Sequence, residues 1–183
     1  MNINIKHVRT AVGIAAALGV FGGIALAAQD RYTVAVPEGL AFSEIKGYET
    51  WQDVAPSVTE GSIKSIVANP VMMSAYRAGV PGNGKLFPEG SKIVKIEWVK
   101  KKSTESPYFV EVPETLKTVS FIVKDSKRFP DTHGWAYAQF AYDPATDSFK
   151  PAAPLSEKGH NCGYACHTTV AAHDYIFTAY PKR

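Results

Sequence analysis

The sequence predicts an α+β fold, an antiparallel β-sheet with a few helices packed against it, in one domain. Two observations carry that prediction. Short apolar runs with a period of two, bounded by Gly, Pro and Asp-Pro turns, fill the middle of the chain. Helical signals are confined to a short stretch near residue 70 and to the C-terminal end, so strands precede a closing helix rather than alternating with helices. The chain has 183 residues with no internal repeat, low-complexity tract or linker. About 156 of them remain after an apolar leader, which suits a single core.

The leader reads as a secretory signal peptide. Met1 to Arg9 carries Lys6 and Arg9 and no acid, Thr10 to Ile24 is apolar and small, and Ala25-Leu26-Ala27 forms an A-x-A cleavage site. An uncleaved anchor is the competing reading, but the apolar run is shorter than the ~20 residues a spanning helix needs. The expectation is therefore a signal peptide over 1–27 and a mature domain over 28–183, periplasmic or secreted and free of the membrane after cleavage. Losing Lys6 and Arg9 lowers the formal charge from +3 to +1, with 18 basic against 17 acidic residues. The basic balance belongs partly to the precursor and does not imply nucleic-acid binding. Lys100-Lys101-Lys102 is the sole concentrated charge, and a solvated strand end explains it better than a docking patch.

The elements follow in order. Tyr32 to Val36 alternates as a strand before the Pro37-Glu38-Gly39 turn, and Gly47 to Val58, with Trp51, reads as a short helical or irregular stretch. Ile63 to Asn69 is a strand. Pro70 to Ala78 is a helix, with Pro70 at its start and Gly79 at its end, and Gly79 to Gly84 is a loop by composition. Ser91 to Lys100 is a strand with Val94, Ile96 and Trp98 on one face and Ile93, Lys95, Glu97 and Val99 on the other. Tyr108–Val112 and Lys117–Val123 are two further strands about Pro113-Glu114, and Trp135–Tyr142 is the last strong one. A Pro- and Ala-rich loop leads to a helix from about Cys162 to Tyr175. Met72 and Met73 on the first helix read as core filling rather than ligands.

Chemistry concentrates in Cys162-Gly163-Tyr164-Ala165-Cys166-His167, which holds both cysteines of the chain. Two thiols beside a histidine suit covalent haem attachment, with the thiols on the porphyrin vinyls and the imidazole on the iron. Three residues separate these cysteines where the usual motif has two. On a helix, positions i and i+4 share a face, so both thiols can still meet one porphyrin edge. A disulfide, a zinc site completed by His167 with His160 or His173, and a free thiol pair remain alternatives at this point. A disulfide across so short a loop stabilises little.

Several stretches in order resemble the cytochrome P-460 family of periplasmic haem c proteins, which includes the cytochromes c′-beta. They are Ala75-Tyr76-Arg77-Ala78-Gly79, Phe87-Pro88-Glu89-Gly90-Ser91 leading to Lys95, Val123 to Pro130, Gly134-Trp135-Ala136-Tyr137, Cys166-His167, and Asp174-Tyr175-Ile176-Phe177-Thr178. The resemblance implies one haem c (iron) on Cys162 and Cys166, His167 as the proximal iron ligand, and an open opposite side for small nitrogen species. It implies a homodimer and a periplasmic electron acceptor as partners. In the members that oxidise hydroxylamine a lysine is joined to the porphyrin, and Lys95, five residues beyond Gly90, falls at that position. Relatives without the bond bind nitric oxide or carbon monoxide, which gives the alternative function. Hydroxylamine oxidation needs a proton acceptor, and Glu97, on the strand face of Lys95, is the carboxylate expected to serve. His133, His160 and His173 read as surface or structural, and His173, six residues after His167, cannot share its iron on one helix.

Overall fold

The computed structural model describes residues 28–37, 40–152 and 161–183, without the side chains of Asn161 and Cys162. The leader at 1–27, its cleavage after Ala27, and His160 lie outside the described residues. Among the described residues no helix is long and apolar enough to cross a membrane.

Six strands form one antiparallel sheet in sequence order, β1 Gln52–Thr59, β2 Ser62–Ala68, β3 Lys92–Lys102, β4 Glu111–Lys124, β5 Trp135–Asp143 and β6 Ser148–Pro151. Helix α1, Pro70–Arg77, joins β2 to β3, and α2, Asn161–His167, follows the sheet. The α+β class expected from the strand pattern is the one observed. Each strand is the neighbour of the next in sequence, so the whole sheet is a meander, with α1 carried in the longer β2–β3 connection.

The period-two pattern sorts the side chains of each strand onto two faces. Val94, Val119, Phe121, Val123, Ala136, Ala138 and Phe140 pack with Val36, Leu40, Phe42, Ile45 and Tyr48 of the N-terminal segment. That segment runs as short 3-10 turns, Arg31–Thr33, Phe42–Ile45 and Tyr48–Thr50. On the opposite face Ile66, Ala68, Ile93, Trp135 and Tyr137 pack with Met72, Met73, Ala75 and Tyr76 of α1 and with Ile176 near the C-terminus. Met72 and Met73 are fully buried there, as core filling requires. Helix α1 begins where expected, because the Asn69 side chain accepts a hydrogen bond from the Met72 N–H and Pro70 opens the first turn. It is followed by Gly79 at φ 88°, which glycine adopts without a Cβ penalty.

Five expectations need correction. Residues 31–33 form a 3-10 turn, with only an isolated bridge between Ala35 and Ala41, because Asp30 accepts from the Tyr32 N–H and caps a turn there. Residues 52–58 belong to β1, whose polar outer positions hid an edge strand. Tyr108–Val112 and Lys117–Val123 are not two strands: β4 runs through Pro113, opposite Lys100 beside a register shift that relieves the missing N–H. The Pro- and Ala-rich loop gives way at its start to a hairpin that pairs β6 with β5. The helix expected over 162–175 stops at His167, and Thr168–His173 continues as a 3-10 turn broken at Val170. The lysine run lies at the end of β3, where Lys100 pairs with Glu111 at 2.8 Å and Lys101 with Glu114 at 3.7 Å.

Candidate functional site: a cleft between the sheet and the C-terminal segment

One face of the sheet is incompletely covered. A cavity of about 590 Å³ opens there, with Ile66, Lys95, Ser120 and Gln139 on the sheet side and His167 and Phe177 on the C-terminal side. That volume lies within the ~300–1,000 Å³ typical of small-molecule and cofactor sites. The register explains the sheet wall: Ile66 faces Lys95, Lys95 faces Ser120, and Ser120 faces Gln139, so four strands contribute one row each side chain of which reaches the cavity.

His167 ends α2 and its ring is held from three directions. Its Nδ1 lies 2.6 Å from the Tyr175 carbonyl oxygen. A carbonyl only accepts, so Nδ1 carries the proton and Nε2 keeps its lone pair. Tyr137 and Phe177 flank the imidazole with ring centroids 4.7 Å away on each side. Burial pulls the imidazole below its ordinary value; the Tyr175 hydrogen bond opposes this and nearby Lys95 adds to it. The result is a neutral, oriented imidazole with one free nitrogen, the form in which histidine binds a metal.

Helix α2 lies hard against β5. A Cβ on Gly163 would sit 2.3 Å from the Tyr137 Cβ, so only glycine at this place between the cysteines permits the approach. Cys166, an exposed free thiol, contributes to the cleft lining. Position 162 lies one helical turn earlier, and the Cys162 side chain lies outside the described residues. Among the described residues no three His, Cys, Asp or Glu side chains are grouped to hold a metal ion. His173 is exposed at the end of the 3-10 turn, and His133 stacks on Tyr175 with centroids 4.9 Å apart.

Lys95 is half-buried in the cleft wall. Burial lowers the amine from the ordinary lysine range; Glu97 counters this, while Lys64 and Lys117 push the same way as burial. Lys92 points to the opposite face, where its Nζ donates to the Glu44 carbonyl at 2.6 Å, as the alternation predicted. Glu97 shares the face of Lys95 but is not brought to the cleft. Its carboxylate accepts from Lys117 Nζ at 3.1 Å and Thr118 Oγ1 at 3.4 Å. Burial pushes its carboxyl up, but hydrogen bonds from Lys117 and Ser62 outweigh that and hold it below the usual carboxylate range. It is occupied as a structural anion two residues away from the position that faces the cavity.

Sequence reasoning missed two groups. Ser120 Oγ and Tyr137 OH are both buried in the cleft wall with no hydrogen-bond partner, and burial drives the Tyr137 phenol strongly upward. An orphaned buried hydroxyl is costly in a finished core; two in one cavity mark a surface meant to face something else. Nothing in a single Ser or Tyr of a strand announces this.

A half-covered sheet with an oriented imidazole, an adjacent thiol and a desolvated amine around one apolar cavity defines a cofactor-binding protein. The cytochrome P460 family model matches residues 45–178, and the chain belongs to that family, whose cofactor is haem. No individually curated protein matches the chain. The residues present fit the group on observations of the fold itself. His167 Nε2 is free to ligate iron, apolar side chains such as Ile66, Ile93, Ile176 and Phe177 line both sides, and the orphaned Ser120 and Tyr137 hydroxyls belong to residues of the same cavity.

Proposed function

We propose that this chain is an exported mono-haem c protein that oxidises hydroxylamine, with Cys162 and Cys166 as the attachment thiols, His167 as the axial ligand and Lys95 bonded to the porphyrin edge. A haem held there by Cys162, Cys166 and His167 would supply an electron acceptor and an iron able to bind a small nitrogen species. The observation that carries this reading is that Lys95 and His167 face one cavity, where burial pulls the Lys95 amine below the ordinary lysine range. Only a neutral amine is a nucleophile, and burial shifts Lys95 toward that form; joining it to a ring carbon that bears hydrogen would also take an external two-electron oxidant and release two protons. A lysine bonded at both ends would also fix β3 against the ring and hold that wall in one geometry. Export supports attachment, since thiols meet haem outside the cytoplasm in c-type proteins.

A second reading, nitric oxide binding without turnover, is favoured by one specific observation. Among the described residues no carboxylate lines the cleft, and Glu97 is engaged elsewhere, so a proton acceptor for hydroxylamine is not at hand in that wall. Lys95→Leu keeps the apolar packing and removes the nucleophile. The variant is expected to show an ordinary haem c spectrum, to retain nitric oxide binding and to lose hydroxylamine oxidation. A wild-type protein that already gives the ordinary spectrum and digests to a free Lys95 peptide would overturn the cross-link and leave the gas-binding reading the better one.

A further inference from the structure

Behind His167 lies a buried ion pair that neither packing nor the cleft requires. Lys124, at the end of β4, reaches Asp174 at 3.1 Å with side chains 5% and 1% exposed. Lys124 Nζ also donates to the His133 carbonyl at 3.2 Å and sits 4.6 Å above the Trp135 ring. Asp174 accepts from the Trp135 indole N–H at 3.1 Å on Oδ1 and from the Phe87 backbone N–H at 2.8 Å on Oδ2. One carboxylate is thus tied to β4, to β5 and to the segment preceding β3.

Charges withdrawn from water this fully are costly, and apolar residues of similar volume often serve stability as well or better. What an apolar pair cannot do is fix a backbone turn. Asp174 and Tyr175 occupy the left-handed region in succession, at φ 49° and 62°. Asp tolerates that conformation, but a bulky residue such as Tyr adopts it only where its surroundings impose it. The Asp174 N–H donates to Ala171 and the Tyr175 N–H to Val170, both at 3.1 Å, while His133 stacks on the Tyr175 ring. The product of this turn is one carbonyl, that of Tyr175, aimed at His167 Nδ1.

We propose that the Lys124–Asp174 pair is a positioning device for His167, anchoring the Asp174–Tyr175 turn so that its carbonyl sets the tautomer and basicity of the nitrogen presented to iron. The proposal rests on the haem reading given above. A fixed acceptor on the far nitrogen makes a histidine a stronger donor to its metal and holds the ring in one orientation. Release of the anchor lets the turn relax toward ordinary backbone angles and carries the carbonyl away from Nδ1.

The test is resonance Raman spectroscopy of the ferrous holoprotein, reading the iron–histidine stretch, with the reduction potential as a second signature. Asp174→Asn removes the charge and keeps the shape. Trp135→Phe removes the indole donor that helps hold the Asp174 carboxylate beside Lys124, weakens the anchor by a milder change, and decides the matter where the first variant fails to fold. Both are expected to shift the stretch to lower frequency and to raise the potential, Asp174→Asn the more. Phe140→Leu, on the opposite face of the sheet, should lower the melting temperature with no shift in the stretch. Variants of Asp174 and Trp135 that melt earlier but keep the wild-type stretch and potential would overturn the positioning role and leave the haem reading intact. A wild-type protein without haem would overturn both.

Discussion

On one face of the sheet Phe42 packs against Phe140 and Phe149 with centroids 5.2 and 4.8 Å away, and the N-terminal turns seal it. On the other face the same strands, at their alternate positions, present Lys95, Ser120, Tyr137 and Gln139 to a cavity of about 590 Å³. The first face satisfies its apolar surface with this chain's own residues. The second leaves two buried hydroxyls of one cavity unpartnered and a lysine half-desolvated, a grouping that is uncommon in a finished core. The difference teaches where stability and chemistry reside: the sheet is held together from one side so that the other can be spared for a cofactor.

Substitutions that respect this division should separate spectra from stability. The largest effect is expected from His167→Ala, which removes the oriented nitrogen. The protein should keep covalent haem, change spin state and lose normal ligand binding in its absorption spectrum, and an unaltered spectrum would mean that another residue holds the iron. Phe42→Ala should do the reverse. Loss of a fully buried aromatic costs about 3–5 kcal/mol, measured by denaturant unfolding, while the haem bands stay in place. A comparable spectral change in that variant would dissolve the distinction between the faces.

The smallest effect concerns how the sealed face is pinned. Glu44 joins the N-terminal segment to the sheet, accepting from Arg128 at 2.8 Å and Lys92 at 3.2 Å. Burial pushes its carboxyl up, yet those two hydrogen bonds outweigh burial and hold it below the usual range. A carboxylate with a lowered folded value adds stability above its unfolded value and loses it as pH falls through the folded one. Glu44→Gln should therefore cost about 1 kcal/mol or less near neutrality. Stability curves of variant and wild type should converge in acid; curves that stay parallel down to low pH would show that Glu44 contributes no charge-dependent term.

How much of this was legible differs between the faces too. The alternation of β3 placed Lys95 and Ile93 on one side and Val94 and Ile96 on the other, and the structure has that arrangement. The start and stop of α1 followed from Pro70 and Gly79, whose effects are local; the Asn69 cap was not read from the sequence. The N-terminal turns were misread because alternation over Tyr32–Val36 satisfies a strand pattern, while the Asp30 cap that decides the matter acts through one side-chain hydrogen bond. The end of α2 was misread because the chain passes after His167 into a 3-10 turn broken at Val170 and closed by Asp174 in the left-handed region, and the partner of Asp174, Lys124, is 50 residues away. Periodicity carries no trace of such a pairing; the one visible sign was a lysine closing the apolar run Phe121-Ile122-Val123. Glu97 was assigned by face alone, and its capture by Lys117 from the neighbouring strand could be known only once the β3–β4 register was fixed.

The measurement that tests the account most directly is the intact mass of the purified mature protein, before and after acid–organic extraction. An open face built for an attached cofactor predicts the mass of the chain from Ala28 plus one haem, unchanged by extraction, together with a Soret band. Extraction that releases all of the haem would contradict attachment through Cys162 and Cys166, and a protein of bare chain mass with no Soret band would contradict the account of the open face altogether.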